Sequence, residues 1–164
     1  MNIGIVTTWF ERGASYVSKT YKAAFDLLGH KTFIYSRGGD NNAKVKSTNW
    51  NESFVFADRK YNDTNVSKHK ILKWIKKNQI QLLFFNEQQN FKILPIIKKK
   101  FPKILLGSYI DYYKEDTIPL FNIFDFVICN TKRHQYAMRN HKQAFYIPWT
   151  TDLELYNNEK RNYN

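Results

Sequence analysis

Apolar residues recur in short blocks along the chain, and polar residues and glycines separate these blocks. The first block, residues 3–6, ends at Thr7, and a loop follows before apolar positions 17, 21, 24, 25 and 28 repeat with a helical period. Gly29 stands where a helix often ends in a left-handed residue, and a second apolar block covers residues 32–35. The pattern predicts strand, loop, helix and strand, the first unit of an open parallel sheet.

The same alternation continues to residue 147. Apolar blocks predict further strands at residues 53–57, 81–85, 103–109, 124–129 and 144–147, and amphipathic or capped segments predict helices at 66–78, 90–99 and 132–139. We expect Thr64 or Asn65 to cap the helix at 66–78, and Thr131 to cap the helix at 132–139. Because no repeat or low-complexity tract interrupts the pattern, residues 1–148 are expected to form one Rossmann-like, three-layer α/β domain with a mostly parallel sheet.

The composition shows a strong positive charge, which does not by itself identify a binding partner. The 164 residues carry a formal net charge of +12, which would attract nucleic acid, an anionic membrane surface or phosphorylated substrates. Lysine outnumbers arginine, the better bidentate phosphate reader, so the charge alone decides nothing. The single cysteine, Cys129, excludes a disulfide within the chain and lies in an apolar block, which predicts a buried core residue.

The lysine-rich helix at 66–78 and the run at 98–100 suggest contact with a membrane surface. A lysine face opposite Trp74 suits an anionic lipid surface, but a helix that covers the sheet with a solvated lysine face is favoured. No apolar stretch approaches the roughly 20 residues that cross a bilayer, and no leader pattern opens the chain. We therefore expect a cytoplasmic protein, with peripheral membrane contact as the alternative. Nucleic acid is not an expected partner, because the aromatics lie in strand patterns.

The loop between the first strand and the first helix is the first candidate site. In parallel sheets ligands bind beyond the carboxyl ends of the strands, and a helix N-terminus there suits a phosphate. Gly13 would let the backbone approach closely, Arg12 adds a cation and Ser15 could cap the helix. The alternative is an ordinary strand-to-helix turn, since one glycine is far weaker than a full G-x-G-x-x-G fingerprint.

Polar residues also follow the other predicted strands. They are Thr7 and Thr8, Asn86 and Glu87, Tyr109 and Asp111, and Asn130 and Thr131. In a parallel sheet these ends share one edge, so the side chains could line one cleft. Glu87 and Asp111 are the carboxylates that could hydrogen-bond hydroxyls or accept a proton. The alternative is that strand ends are polar because turns and caps are polar.

Other kinds of site find little support. The four histidines show no metal-ligand spacing, so no metal site is expected, and a solvated or capping role is favoured for each. Neither a G-x-S-x-G elbow nor a phosphate-binding P-loop is present, which removes the main support for a hydrolase or a phosphoryl-transfer enzyme.

Three segments resemble a known enzyme family. They are IGIVTTWFERGA at residues 3–14, FIYSRGG at 33–39 and YIPWTTD at 146–152. Together they resemble the N-terminal domain of GT-B glycosyltransferases of group 1, family four. The resemblance implies an acceptor-binding half of a retaining enzyme, with a nucleotide-sugar as donor substrate and no separate cofactor. It also implies that Arg12, Gly13, Ala14 and Ser15 lie against the donor pyrophosphate.

The resemblance further implies that a sugar or glycoconjugate acceptor meets Thr8, Glu87, Asp111 and Asn130. The closing segment resembles the family's crossover into a C-terminal, donor-binding domain: Pro148 and Asp152 match the family pattern, and residues 149–164 are the crossover segment. Trp149 and Thr150 replace the family's Asn and Gly.

Two further departures concern the chemistry. Tyr109 and Asp111 stand where many members have a histidine, and the family's two glutamates eight residues apart are not found in this sequence. The isolated chain is therefore expected to transfer sugar very slowly or not at all. The alternative function is a non-catalytic Rossmann-like module that binds a phosphorylated or lipid-linked ligand at an anionic surface.

Overall fold

The computed structural model describes residues 1–37, 50–58 and 65–150. Its strands form one seven-stranded sheet in which every neighbouring pair is parallel. The strands are β1 (Asn2–Thr7), β2 (Lys31–Ser36), β3 (Val55–Ala57), β4 (Leu82–Asn86), β5 (Leu105–Ile110), β6 (Phe126–Cys129) and β7 (Ala144–Tyr146). The helices are α1 (Gly13–Leu27), α2 (Lys68–Lys77), α3 (Ile93–Lys100) and α4 (Lys132–Ala137), with a 3₁₀ segment at Glu115–Ile123. The predicted Rossmann-like α/β fold is confirmed.

The strand order shows where the winding direction of the sheet reverses. The order is β3-β2-β1-β4-β5-β6-β7, so β1 lies between β2 and β4, and the winding direction reverses between β1 and β4. Ile5 aligns with Ile34 on one side and with Phe84 on the other. In doubly wound sheets the crevice at such a reversal is where ligands bind. The carboxyl ends of β1 and β4 therefore mark the candidate site.

The core has two parts, one on each face of the sheet. On one face α1 packs Val17 against Ile5 and Phe84. On the other, α2, α3 and the 3₁₀ segment cover the sheet, and Trp74 packs so closely on β1 that a Cβ at Gly4 would lie 2.6 Å from its ring. Burying each large aliphatic side chain in such a core stabilises the fold by about 1.5–3 kcal/mol.

The apolar side of α2 faces this core, because Ile71, Trp74 and Ile75 are buried. This packing supports the prediction that α2 covers the sheet, rather than the alternative in which its apolar face contacts lipid. Among the described residues, no helix is both long enough and apolar enough to cross a bilayer.

Two of the predicted helix ends are confirmed, and the predicted cap of α2 is corrected. Gly29 adopts φ +77°, and His30 N donates to Phe25 O at 3.0 Å, which confirms the left-handed ending of α1. The Thr131 hydroxyl accepts a hydrogen bond from His134 N at 3.1 Å, which confirms it as the cap of α4. For α2 the predicted cap Asn65 is wrong, since Ser67 holds the N-cap position and the buried Asp58 carboxylate accepts from its N–H at 2.8 Å. Thr64 lies outside the described residues.

The predicted apolar face of α1 is only partly correct. Val17 is buried and Tyr21 and Phe25 are partly buried, whereas Ala24 is exposed and Leu28 is 71% exposed. Burial moves instead to the N-terminal half, where Ala14, Ser15 and Ser18 are buried beside the end of β1. The period identified the helix, but small residues form its closest contact with the sheet.

Candidate functional site at the carboxyl edge of the sheet

Asn86 ties the end of β4 to the first turns of α1. Its side chain is 1% exposed, and its Nδ2 donates to Ala14 O at 2.7 Å and to the Ser18 hydroxyl at 2.9 Å. The Ser18 hydroxyl in turn donates to Thr7 Oγ1, at the end of β1, at 2.7 Å. These buried bonds hold the start of α1 above the point where the winding direction reverses.

The loop before α1 is held by Ser15 in a way that the sequence did not predict. The Ser15 hydroxyl donates to Thr8 O at 3.1 Å and accepts from Phe10 N at 3.3 Å. Ser15 is therefore not the cap of α1: Arg12 occupies the N-cap position with an extended φ of −165°. In the described part of the chain, no side chain caps this N-terminus and no acidic residue lies in its first turn. No acidic side chain of the first turn therefore offsets the partial positive charge of this helix end.

Glu87 faces this N-terminus across the crevice. Its carboxylate lies 3.4 Å from the Arg12 guanidinium, with side chains 19% and 45% exposed respectively. Glu87 adopts φ +54°, a left-handed conformation that non-glycine residues rarely take. Such strain persists only where surrounding structure imposes it, and it concentrates at functional sites.

Arg37 is a buried cation that is hydrogen-bonded to this turn, and sequence reasoning missed it. It follows β2, is 1% exposed, and its guanidinium donates to the carbonyl oxygens of Asn86 and, at 3.0 Å, of Glu87. The backbone N–H of Arg37 donates to Thr7 O at 2.8 Å. No local pattern signals this role, because the contact joins residues about fifty positions apart in the chain.

The electrostatics of Glu87 are unusual for a surface acid. Burial raises the pKa of Glu87 above its usual value, and the positive charges of Arg12 and Arg37 offset part of that effect. The Asp111 carboxylate raises the pKa further, through its charge and as a hydrogen-bond partner. Glu87 and Asp111 therefore form a pair of neighbouring carboxyl groups, in which Glu87 holds its proton more readily than an exposed glutamate does.

A short chain of hydrogen bonds continues from Asp111. Asn130 Nδ2 lies 3.4 Å from Asp111 Oδ1 and donates to the Tyr109 hydroxyl at 2.9 Å. The same hydroxyl accepts from Trp149 Nε1 at 2.6 Å. Burial raises the pKa of Tyr109 to about 12, so this hydroxyl stays protonated at neutral pH. The chain of bonds connects the ends of β5 and β6 with the segment that follows β7.

The structure brings most of the predicted site residues to one edge. Arg12 and Gly13 are exposed at the start of α1, with Glu87, Asp111 and Asn130 along the neighbouring strand ends. Thr8, Ala14 and Ser15 lie at the same edge but are buried, at 4%, 8% and 0% exposed. The buried residues shape the loop, and the exposed ones line the crevice. A cavity of about 120 Å³ adjoins it, with Gln88, Tyr112 and Tyr113 in its wall.

Other reactive side chains are explained by packing. Cys129 is buried as predicted, and burial raises the pKa of its thiol to about 11. His141 is 8% exposed and bonded to Phe124 O at 3.1 Å, so the prediction of a solvated or capping histidine is wrong there. Within the described ranges, no group of three metal-ligating side chains could hold an ion.

Comparisons with known proteins place the fold. No protein-family model matches the sequence, and no curated protein matches it. Among solved structures, an alpha-glucosyltransferase in complex with UDP and a 13-mer DNA containing an HMU base is 15% identical, with a TM-score of 0.59. The match covers 93% of this chain and 43% of that one.

Two further structures agree with this match. An alpha-glucosyltransferase in complex with UDP-glucose and DNA containing an abasic site has a TM-score of 0.60 at 13% identity, covering 93% and 43% of the two chains. HepE of Anabaena, in complex with UDP and glucose, has a TM-score of 0.56 at 15% identity, covering 95% and 46%. This chain therefore shares its fold with one part of these glycosyltransferases and spans less than half of their length.

Proposed function

We propose that this chain is the acceptor-side half of a retaining glycosyltransferase that uses a nucleotide-sugar donor. One observation carries the proposal: Arg12, Glu87 and Asp111 converge beside the N-terminus of α1, where the winding of the sheet reverses. The fold that presents them is shared with structures that hold UDP or UDP-glucose. The pattern of residues 146–152 supports the GT-B assignment within family four.

The donor side of the site is the N-terminus of α1. The partial positive charge of the helix end and the Arg12 guanidinium are suited to the pyrophosphate of a sugar nucleotide. The Arg12 guanidinium also lies 3.4 Å from the Glu87 carboxylate. When a donor binds, its phosphate replaces Glu87 as the partner of Arg12. The cation then stabilises the negative charge that develops on the leaving group.

The acceptor side is the row of polar groups at the ends of β4, β5 and β6. Glu87, Asp111 and Asn130 orient the acceptor hydroxyl, and the carboxyl groups accept its hydrogen bond as it attacks the sugar. The neighbouring cavity is too small for a whole sugar ring, but the amide and the two tyrosines in its wall offer hydrogen-bonding groups to the hydroxyls of a sugar or glycoconjugate at its mouth. Thr8 acts indirectly, through the loop that it shares with Ser15.

The proposal requires a second domain. Residues 149–164 lead into it, and it supplies the nucleotide pocket and the paired glutamates of the family. On its own, this chain binds UDP-glucose weakly and turns it over very slowly or not at all. The protein acts in the cytoplasm, with peripheral contact at a membrane surface as a further part of the proposal.

The test combines this chain with a donor-binding GT-B domain, added in trans or fused after Asn164. We expect UDP release from UDP-glucose to depend on both parts and on an added sugar acceptor. Arg12→Gln should lower this rate about 100-fold, because it removes a cation at the leaving group. Arg139→Gln is the matched control, since Arg139 lies on Tyr136 at the far end of α4 and should leave the rate unchanged.

Three results would overturn the proposal or part of it. Rapid turnover by this chain alone would show that no second domain is needed. Tight UDP-glucose binding in calorimetry, with no turnover in any combination, would favour the non-catalytic binding module instead. Salt-dependent, tight binding to duplex DNA would replace the carbohydrate acceptor with a nucleic acid.

A further inference from the structure

A second cavity, of about 240 Å³, lies on the face of the sheet that α1 covers. One wall is α1, through Val17, Tyr21 and Ala24, and the opposite wall is the segment at residues 147–150 after β7. Tyr109 of β5 lies between them. The wall is mostly apolar, with hydroxyl groups at a few points of its margin.

The size of this cavity limits its occupant. An apolar protein cavity of about 150 Å³ is enough to hold benzene, whereas a complete drug-sized ligand needs roughly 300–1,000 Å³. A space of about 240 Å³ therefore holds one aromatic ring with a short extension, which is a part of a ligand. The remainder of that ligand must lie outside the cavity.

Hydrogen bonds connect the cavity with the candidate site. The Tyr109 hydroxyl accepts from Trp149 Nε1 at 2.6 Å and from Asn130 Nδ2 at 2.9 Å. Asn130 Nδ2 also lies 3.4 Å from Asp111 Oδ1. A single amide group thus separates the wall of the cavity from the acceptor-side carboxylates. A group bound in the cavity would hold an attached hydroxyl beside Asp111 and Glu87.

Trp149 has the features of a side chain that contacts a ligand. Its indole N–H is anchored on Tyr109, yet the residue is 58% exposed, whereas Trp9, Trp50 and Trp74 are 1%, 4% and 5% exposed. Ile147 and Leu28 are also exposed, at 43% and 71%, and Leu28 lies one helical turn beyond Ala24. An apolar group beside Trp149 would remove this surface from water.

We propose that this cavity binds the apolar aglycone of the acceptor, a group about the size of one aromatic ring. The sugar of the same acceptor then lies against Glu87 and Asp111. The inference rests on the proposed function, because it gives the acceptor a chemical class: an aryl glycoside rather than a free sugar.

The experiment compares phenyl glucoside with methyl glucoside, two probes that differ only in the aglycone. We expect the phenyl probe to bind the chain at least tenfold more tightly, equivalent to about 1.4 kcal/mol. It should also protect Trp149 from acrylamide quenching, an effect that Trp149→Phe removes. Equal affinity of the two probes would overturn the inference.

Two neighbouring alanines of α1 supply a matched pair of variants. Ala24 is exposed in the wall of the cavity, while Ala23 is exposed on the same helix outside that wall. Ala24→Phe should fill the cavity and reduce phenyl affinity to the level of the methyl probe, and Ala23→Phe should leave it unchanged. The same effect from both variants would contradict the inference.

A kinetic measurement separates this inference from the proposed function. With a donor domain supplied, Ala24→Phe should raise KM for the phenyl acceptor, whereas Ala23→Phe, which lies outside the cavity wall, should leave KM and kcat with both acceptors unchanged. Transfer to both acceptors with the same KM would overturn the cavity assignment and leave the glycosyltransferase proposal standing. Binding of the phenyl probe without sugar transfer would support the cavity assignment and overturn the proposed glycosyltransferase function.

Discussion

Two carboxylates at opposite ends of the sheet show how differently one fold treats the same chemical group. Asp125 precedes β6 at the amino end, where its Oδ2 accepts from Lys98 Nζ at 2.6 Å and from Leu106 N at 2.8 Å. Burial alone would raise the pKa of Asp125, but these hydrogen bonds and the lysine charges lower it below its usual value. Asp125 is therefore more stable as a carboxylate in the fold than in water.

Glu87, at the carboxyl end, is treated in the opposite way. Burial raises its pKa, a second carboxyl group lies beside it, and its backbone is in a left-handed conformation. Each of these features costs free energy of folding. The amino end of the sheet thus uses its acid for stability, while the carboxyl end retains an acid that stability alone would not favour. That difference is the physical argument for the proposal that the chemistry takes place at Glu87.

The largest expected effect comes from replacing each acid with its amide. In the proposed two-domain enzyme, Glu87→Gln should lower kcat by about 10² to 10⁴, because on that proposal it removes a group that orients and accepts from the attacking hydroxyl. Asp125→Asn should keep kcat but lower the free energy of unfolding by about 1–2 kcal/mol, since charge-assisted hydrogen bonds are lost. Steady-state kinetics and urea unfolding measure the two. If the variants lose activity equally, the contrast between the two ends is wrong.

The pH dependence of stability should differ in sign between the two acids. The pKa of Glu87 is raised in the fold, so above its ordinary value the unfolded chain loses this proton first, and stability falls as pH rises through that window. The pKa of Asp125 is lowered, so its contribution is present above its ordinary value and is lost as pH falls.

Thermal unfolding of the wild type and both amide variants, between about pH 3 and pH 8, measures this contrast. Relative to the wild type, Glu87→Gln should gain stability as pH rises, and Asp125→Asn should lose it. Parallel curves for the two variants would show that Glu87 is an ordinary surface acid.

The sequence was sufficient for features that depend on local patterns. Periodicity identified the alternation of strands and helices, because a buried strand and an amphipathic helix impose different spacings on apolar residues. Gly29 and Thr131 were identified as helix ends because capping is decided within a few residues. Glu87 and Asp111 followed from the rule that parallel strands end at one edge.

The sequence was insufficient where distant segments meet. The role of Arg37 depends on two carbonyl groups about fifty residues away, and the bond from Trp149 to Tyr109 spans forty residues. No glycine signals the left-handed turn at Glu87, and the Arg37 guanidinium that bonds its carbonyl oxygen is distant in the sequence. Ser15 was predicted to cap α1 because serine is a common cap residue. Its hydroxyl instead forms hydrogen bonds with the backbone of Thr8 and Phe10 in the preceding loop.

The smallest expected effect tests whether backbone strain distinguishes the two ends. At Glu87 the left-handed φ of +54° costs an alanine roughly 1 kcal/mol that a glycine does not lose. Glu87→Gly should therefore be more stable than Glu87→Ala by about 1 kcal/mol, because both variants lose the same carboxylate contacts and only the backbone cost differs.

Asp125 provides the matched pair, since it is not among the described non-glycine residues with positive φ. Asp125→Gly should be less stable than Asp125→Ala by about 0.5–1 kcal/mol, because glycine loses more conformational freedom on folding. Urea unfolding of the four variants gives both differences. A glycine that is less stable than alanine at both positions would mean that Glu87 is not strained, and the turn that Arg37 holds would then be an ordinary strand end.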